Sequence, residues 1–422
     1  MTLEAGGTLT GGGVRPPDVR FLGGRRSYWR LLVRGALLLM VTLGIYRFWL
    51  MTDVRRFLWS NTVIAGEALE YVGTPLELLI GFLVAVAILI PVYTGFFLAA
   101  LDLGTVGRLS GLLAFAALGV LGQYAVYRAR RYRLTRTIYR GLRFHQDGSA
   151  WRYAICAVFW WALTALTLGL AYPFQLASLE RYKMRNTFYG DLAGRFDGSG
   201  FRLLLRGLPM WLLVMAPLAV TVGAFVEVVD WRALADALAQ GPDNVMTRIE
   251  TGNPQFADVI LFGTLMTIAS AAMAAIFYPT FQAMILRWWS SGLRFGGIEI
   301  TSRLRTRQVY SAYVRFLSWA LLFSLVAGII ASGALYLADT LPGASGPGRE
   351  IAVTGLGLVG YVILALGYST IYRATVLLSL WQLGMESLQL SGLEALDRVK
   401  AIGKASSPLG EGLADALNVG GY

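Results

Sequence analysis

The stretch Arg128–Ser149, RARRYRLTRTIYRGLRFHQDGS, lies between two apolar segments of membrane-crossing length. It carries seven arginines, Arg128, Arg130, Arg131, Arg133, Arg136, Arg140 and Arg143, and no acid before Asp147. Loops this basic stay on the cytoplasmic side of a bilayer, so this one orients the rest of the chain. Its skeleton returns further along. Arg131, Thr137 and Asp147-Gly148-Ser149 are answered by Arg181, Thr187 and Asp197-Gly198-Ser199, and Leu118-Gly119 by Leu168-Gly169. An earlier copy has Leu43-Gly44, Arg56, Thr62, Gly66 and Gly73-Thr74.

The composition agrees with a membrane setting. Of 422 residues, 56% are hydrophobic and 15% charged, where a soluble domain carries about 25% charged residues. The net charge of +12 is almost all arginine, since lysine occurs only at Lys183, Lys400 and Lys404. Dispersed over several loops between apolar segments, these arginines face an anionic leaflet rather than nucleic acid. One cysteine, Cys156, and one histidine, His145, leave no intramolecular disulfide, Cys/His zinc site or bis-histidine haem. No cofactor is expected. The Gly-rich N-terminus lacks the apolar core and cleavage site of a signal peptide.

Residues 1–27 read as a flexible cytoplasmic arm. Eight apolar segments follow: Leu31–Phe48, Leu76–Ala100, Leu109–Tyr127, Trp151–Tyr172, Leu208–Val229, Val259–Leu286, Phe316–Leu337 and Ile351–Ile371. Helices are expected throughout. The loop Arg287–Arg315 is basic, whereas Val226–Asp258 holds Glu227, Asp230, Asp236, Asp243, Glu250 and Asp258 against two arginines. If all eight segments cross, the basic loop Arg128–Ser149 falls outside. The conflict disappears if Leu31–Phe48 and Trp151–Tyr172 stay at the cytoplasmic face, and six crossings are favoured. The N- and C-termini are cytoplasmic under either count.

The expected fold is therefore an all-α polytopic membrane protein with six to eight transmembrane helices. Internally repeated Arg-rich cytoplasmic units, built of short helices and tight turns, join them. The membrane domain covers 28–372, subdivided as 28–127, a doubled loop unit 128–200, 201–286 and 287–372. Residues 373–422 form an amphipathic cytoplasmic tail. There Leu388, Leu390, Leu393, Leu396, Val399 and Ile402 suggest a surface helix, with a short terminal helix around Leu413–Leu417.

Within the repeated unit, Thr137 followed by Gly141 can end a helix with glycine in the left-handed conformation. Asp147-Gly148 carries the signal of a tight turn. The motif positions are Thr62, Gly66, Thr137, Gly141, Thr187 and Gly198. Two readings stay open. The unit is an interfacial collar holding the spans in register, or it binds anionic lipid headgroups through Arg56, Arg131, Arg136, Arg140, Arg181 and Arg185, because the planar guanidinium suits phosphate.

These residues resemble the YjgN-like family of bacterial inner-membrane proteins. Its pattern is similar to Leu43-Gly44-Ile45-Tyr46 followed by Arg56-Phe57 and Asn61-Thr62. It is met again at Leu168-Gly169-Leu170-Ala171-Tyr172-Pro173 with Arg181-Tyr182 and Asn186-Thr187. Phe48 stands where the family has proline, and Gly292 where threonine is expected. The resemblance implies an inner-membrane protein without an established activity and carries over no catalytic residue.

His145, Asp147 and Ser149 are the right residue types for a hydrolase. However, Asp197-Gly198-Ser199 repeats the turn without histidine, and adjacency in sequence does not make a triad. No metal or nucleotide motif is present. The protein is expected not to be an enzyme. Two classes remain: a membrane module whose arginine-rich face engages anionic lipid or scaffolds a partner protein, or a transporter or channel. Proton- or sodium-driven transport is weakened because the apolar interiors hold no Asp, Glu, Lys or Arg; a channel, a facilitator or a lipid-handling groove stays open, with Gln123 and Thr221 as candidate path residues. Oligomeric state is not legible.

Overall fold

The computed structural model describes residues 18–101, 105–241, 244–340 and 347–400. In chain order, β1 (Val19–Phe21), α1 (Arg25–Val41) and α2 (Arg47–Ser60) precede β2 (Thr62–Ile64), β3 (Glu67–Ala68) and β4 (Glu70–Tyr71). Next come α3 (Pro75–Ala100), α4 (Thr105–Thr135), β5 (Thr137–Tyr139), β6 (Leu142–Gln146) and α5 (Ala150–Leu166). The helix α6 (Tyr172–Arg185) leads through β7 (Thr187–Tyr189) and β8 (Leu192–Phe196) into α7 (Gly200–Val228). Two short helices, α8 (Trp231–Ala239) and α9 (Val245–Gly252), precede α10 (Phe256–Gly292), β9 (Leu293–Phe295), β10 (Ile298–Ser302) and α11 (Thr306–Thr340). Last are α12 (Pro347–Tyr372), a π-helical turn over Arg373–Leu377, α13 (Leu378–Glu386), β11 (Leu388–Ser391) and a 3-10 turn over Leu393–Arg398.

Six helical stretches are long and apolar enough to cross a membrane: Pro75–Ala100, Leu109–Thr135, Gly200–Val228, Phe256–Gly292, Thr306–Ala338 and Val353–Glu386. At most 17% of the most apolar window of each is buried, so their greasy faces have no protein partner and need lipid around them. The two segments expected not to cross overlap α1 and α5, each of 17 residues. Both end in the same turn. Leu43 and Gly44 have φ of +49° and +91°, and Leu168 and Gly169 have +49° and +94°. Leu118 and Gly119, matched to them in sequence, instead lie inside α4.

The expectation of an all-α chain is corrected by the sheet. An eight-stranded antiparallel meander runs in the order β11-β10-β9-β8-β7-β6-β5-β4, and a three-stranded sheet in the order β1-β2-β3. The helices α4, α6 and α10 each run into a hairpin of the meander, and α13 into its edge strand β11. At Thr137 the chain begins β5, so the helix has already ended at Thr135. Arg140 and Gly141, with φ of +47° and +75°, are the two central residues of the β5–β6 turn. Ala65 and Gly66, at +46° and +90°, do the same between β2 and β3. Two positive φ values in a two-residue turn match the twist of a hairpin. Asp147-Gly148 is not such a turn. It links β6 to α5, where Ser149 caps the helix by accepting from Arg152 N at 3.4 Å.

The ends of the chain also differ from expectation. Val19–Phe21, inside the presumed flexible arm, pairs with β2, and Leu388–Ser391 is a strand pairing with β10 rather than part of a surface helix. Asp18 joins the two sheets. Its carbonyl oxygen accepts from Ala65 N at 2.8 Å and its carboxylate from Leu390 N at 3.0 Å. Residues 1–17 and 401–422, with the terminal helix expected around Leu413–Leu417, lie outside the described residues, as does Asp243. The largest apolar core sits against the inner face of the sheets and includes Tyr28, Leu58, Trp59, Tyr139, Tyr189 and Leu378.

Candidate functional site

Threonine at the start of a strand does two jobs in this fold. The hydroxyls of Thr62, Thr137 and Thr187 donate to the carbonyl oxygens of Leu58, Arg133 and Lys183, at 2.7, 2.8 and 2.7 Å. That satisfies a carbonyl the helix end would otherwise leave open. The same hydroxyls accept from Trp381 Nε1 at 3.0 Å, Trp59 Nε1 at 3.0 Å and Arg130 Nη1 at 3.1 Å. Neighbouring helices are thereby pinned together. Gly198 packs so tightly that a Cβ there would lie 2.4 Å from the Phe196 ring and 3.0 Å from Trp288.

The arginines expected to bind headgroups are mostly engaged inside the protein. Arg56 Nη2 donates to Gly73 O at 3.0 Å and Arg181 Nη2 to Gly198 O at 3.1 Å. Each ties a helix to the start of the next one. Arg136 forms a two-pronged ion pair with Glu77, Nε to Oε2 at 3.1 Å and Nη2 to Oε1 at 2.9 Å. Arg140 pairs with Asp397 at 3.1 Å. Arg131 occupies the position of Arg56 and Arg181 on α4 and is half-buried. Arg185 is exposed in the last turn of α6, where its charge suits the helix dipole. The structure therefore scatters these six along the hairpin layer rather than gathering them.

What it gathers instead are four other arginines. A cavity of about 750 Å³ lies between the start of α7 and the end of α10, and its lining includes Arg202, Arg206, Arg287 and Arg294 with Ser199 and Asp197. Arg287 is held by Leu304 O at 3.5 Å and Thr306 Oγ1 at 3.3 Å. Arg294 reaches the carbonyl oxygens of Ser291, Leu293 and Ile300 at 3.0, 2.8 and 3.2 Å. Asp197, the one acid in the lining, is shared between Arg195 at 2.8 Å and Arg294 at 3.9 Å. The wall is fixed by Trp288, whose indole donates to Ser199 O at 3.0 Å and meets the Phe196 ring edge-on at 4.9 Å.

Arg202 and Arg206 differ from the others. Both are exposed, and among the described residues neither guanidinium has a hydrogen bond or ion pair to the protein. Ser199 caps α7, accepting from Arg202 N at 3.4 Å. Arg202 therefore stands in the first turn, where the helix dipole disfavours a cation. Arg206 stands one turn on, where like charges repel. Each of these effects costs a few tenths of a kcal/mol, about 0.3–1 at most. An anion in the cavity removes both costs and finds backbone N–H groups of the helix start as well.

A second, apolar recess of about 390 Å³ lies beside this cavity. Leu204, Gly207, Trp211 and Met215 of α7 and Phe281 of α10 line it, and Met284 lines both. His145 and Asp147 sit in the β6 strand and the turn that follows it. The His145 ring stacks on Phe188 with centroids 5.0 Å apart, and the Asp147 carbonyl accepts from the Tyr127 hydroxyl. Of the proposed path residues, Thr221 returns its hydroxyl to Pro217 O in its own helix at 3.0 Å.

A model of a bacterial protein family of unknown function, DUF898, matches residues 16–416. No curated protein and no solved structure matches the chain.

Proposed function

The chain belongs to the bacterial DUF898 family, the YjgN-like proteins, and we propose that it is a non-enzymatic inner-membrane module that binds anionic phosphate headgroups. The six apolar helices then span as three hairpins, α3–α4, α7–α10 and α11–α12, with both termini and the hairpin sheet on the cytoplasmic side. The positive-inside rule supports that orientation, because the arginines cluster at the sheet end of the helices and the acids near α8 and α9 at the other. The helix–hairpin–helix segments are then copies of one repeated unit, a collar that fixes the spans in register.

The observation that carries the reading is the pair Arg202 and Arg206. Two cations placed against a helix dipole and against each other, on a cavity whose one acid is already held by Arg195 and Arg294, suit an anionic ligand. The cavity lies level with the ends of two spans, where headgroups are, and an apolar recess adjoins it. A phospholipid suits this pair of surfaces better than a free phosphate.

The test is lipid retention. Protein reconstituted in mixed phosphatidylglycerol and phosphatidylcholine, then extracted in mild detergent, retains phosphatidylglycerol selectively. The double variant Arg202→Ala, Arg206→Ala loses that selectivity by tenfold or more. Equal selectivity in the two proteins sinks the proposal.

A further inference from the structure

A different cavity, on the inner side of the sheet, has another shape and another chemistry. It measures about 630 Å³ and is bounded by α2, α10, the π-helical turn and α13, with Leu58, Leu286, Leu380 and Trp381 among its lining. Along the chain the lining runs from Ser369 at one end to Met385 and Leu388 at the other. Sixteen residues of helix at 1.5 Å each put these two ends about 24 Å apart along that wall. An elongated, largely apolar groove of that reach suits an extended hydrocarbon chain.

The polar groups at the sheet end are already paired. Ser302 and Ser387 share a hydrogen bond at 2.9 Å, Trp381 Nε1 donates to Thr62 at 3.0 Å, and Trp289 Nε1 to Glu180 at 3.1 Å. What remains facing the space there is mostly apolar. The opposite end is polar, with Gln282, Tyr372 and Arg373 in the wall. Gln282 accepts the Tyr313 hydroxyl on its carbonyl oxygen, and among the described residues its amide N–H groups have no partner. Arg47 lies close by. Burial, and then the charge of Arg373, hold the Arg47 guanidinium below its ordinary value, so two cations sense each other there. The backbone at this end is also irregular. The π-helical turn Arg373–Leu377 interrupts a long helix at the polar mouth, and such turns are rare and concentrate at functional sites.

We propose that this cavity holds an amphiphile with one hydrocarbon chain, its anionic head at Gln282 and Arg373 and its chain directed toward Ser302 and Ser387. The head is a carboxylate or a phosphate, so the source is a fatty acid or a single-chain phospholipid. This site shares no arginine with the Arg202–Arg206 cavity and does not depend on it.

Gly384 supplies the test. It lines the cavity, and a Cβ there would meet nothing within 4 Å, while glycine in a helix interior is itself unfavourable. Gly384→Leu therefore fills the cavity without disturbing the helix. The full-length protein is held in digitonin, which carries no single alkyl chain. Palmitate, palmitoyl-lysophosphatidylglycerol and hexadecanol are then titrated, with bound mass read by native mass spectrometry. We expect one equivalent of palmitate or of the lysolipid on wild type, whichever binds tighter naming the source. Gly384→Leu should bind at least tenfold more weakly, with an unchanged melting temperature. Arg202→Ala, Arg206→Ala should bind as wild type. Should Gly384→Leu not fold, Met385→Phe fills the same space. Undiminished binding by the folded filling variant overturns the location, and hexadecanol binding as tightly as palmitate overturns the anionic head.

Discussion

Arg181 donates Nη2 to the backbone carbonyl oxygen of Gly198 at 3.1 Å. Arg56 and Gly73 stand in the same relation at 3.0 Å, and Arg287 and Leu304 at 3.5 Å. In all three cases a guanidinium near the end of one helix closes over the hairpin to hold the entrance of the next. An arginine that looks like a headgroup ligand in sequence is thus a clasp. Arg181→Ala should lower stability by about 1–2 kcal/mol, the worth of a hydrogen bond with one charged partner. Anionic-lipid retention should stay within twofold of wild type. A chemical-denaturation series in detergent beside the lipid assay reads both, and lost retention at full stability would contradict the clasp.

Glu77 holds Arg136 through both carboxylate oxygens and also accepts the Tyr132 hydroxyl at 2.6 Å. The Arg136 and Glu77 side chains are 9% and 21% exposed, so neither charge is well solvated without the other. Glu77→Gln should cost about 3 kcal/mol, mostly from stranding Arg136. Arg136→Gln added to it should recover part of the loss. A double variant as unstable as the sum of two independent losses would show that the two residues do not interact.

Tyr189 gives the sheet an alkaline limit. Its hydroxyl donates to Tyr139 O at 2.9 Å, and burial pushes it up to about 12, against about 10 in an unfolded chain. The neutral form is the one the fold prefers, so its contribution is complete below pH 10 and is lost as pH rises through about 12. Melting temperature should fall between pH 9 and pH 11.5 more steeply for wild type than for Tyr189→Phe. Parallel curves would remove Tyr189 from this account.

The orientation is open to labelling. In a Cys156→Ser background, Arg143→Cys on the exposed face of β6 should react with an impermeant maleimide only after spheroplasts are permeabilised. Glu250→Cys in α9 should react on intact ones. Labelling of Arg143→Cys from outside would invert the sheet and remove the headgroup reading.

Much of the helical layout was legible because hydropathy over 20 residues is a strong signal. Each of the six long helices overlaps one expected segment and runs beyond its bounds, α4 for example over Thr105–Thr135 against Leu109–Tyr127, and α1 and α5 stand out through the conflict with the arginine loops. The strands were missed for a local reason. Thr137–Gln146, TIYRGLRFHQ, alternates core and solvent residues about a two-residue turn, which is a hairpin pattern. Arg140 at the turn gives no hint of its positive φ, and Gly141 reads equally well as a helix terminator. The clustered arginines were missed because Arg202 and Arg206 come from one span and Arg287 and Arg294 from the end of another. Only the packing of α7 on α10 joins them. Arg202 could still have been noticed, as an arginine three residues beyond the capping residue Ser199.

The central claim is that Arg202 and Arg206 await an anion, and melting in nanodiscs of defined lipid tests it most directly. Wild type should melt several degrees higher in phosphatidylglycerol than in phosphatidylcholine, since a ligand at about 100 times its Kd adds about 2.7 kcal/mol. The increment should shrink in high salt. Arg202→Ala, Arg206→Ala should lose most of the increment while melting in phosphatidylcholine no lower than wild type, because a repulsive pair has been removed. A double variant that keeps the whole increment, or that is destabilised in neutral lipid, would contradict the account.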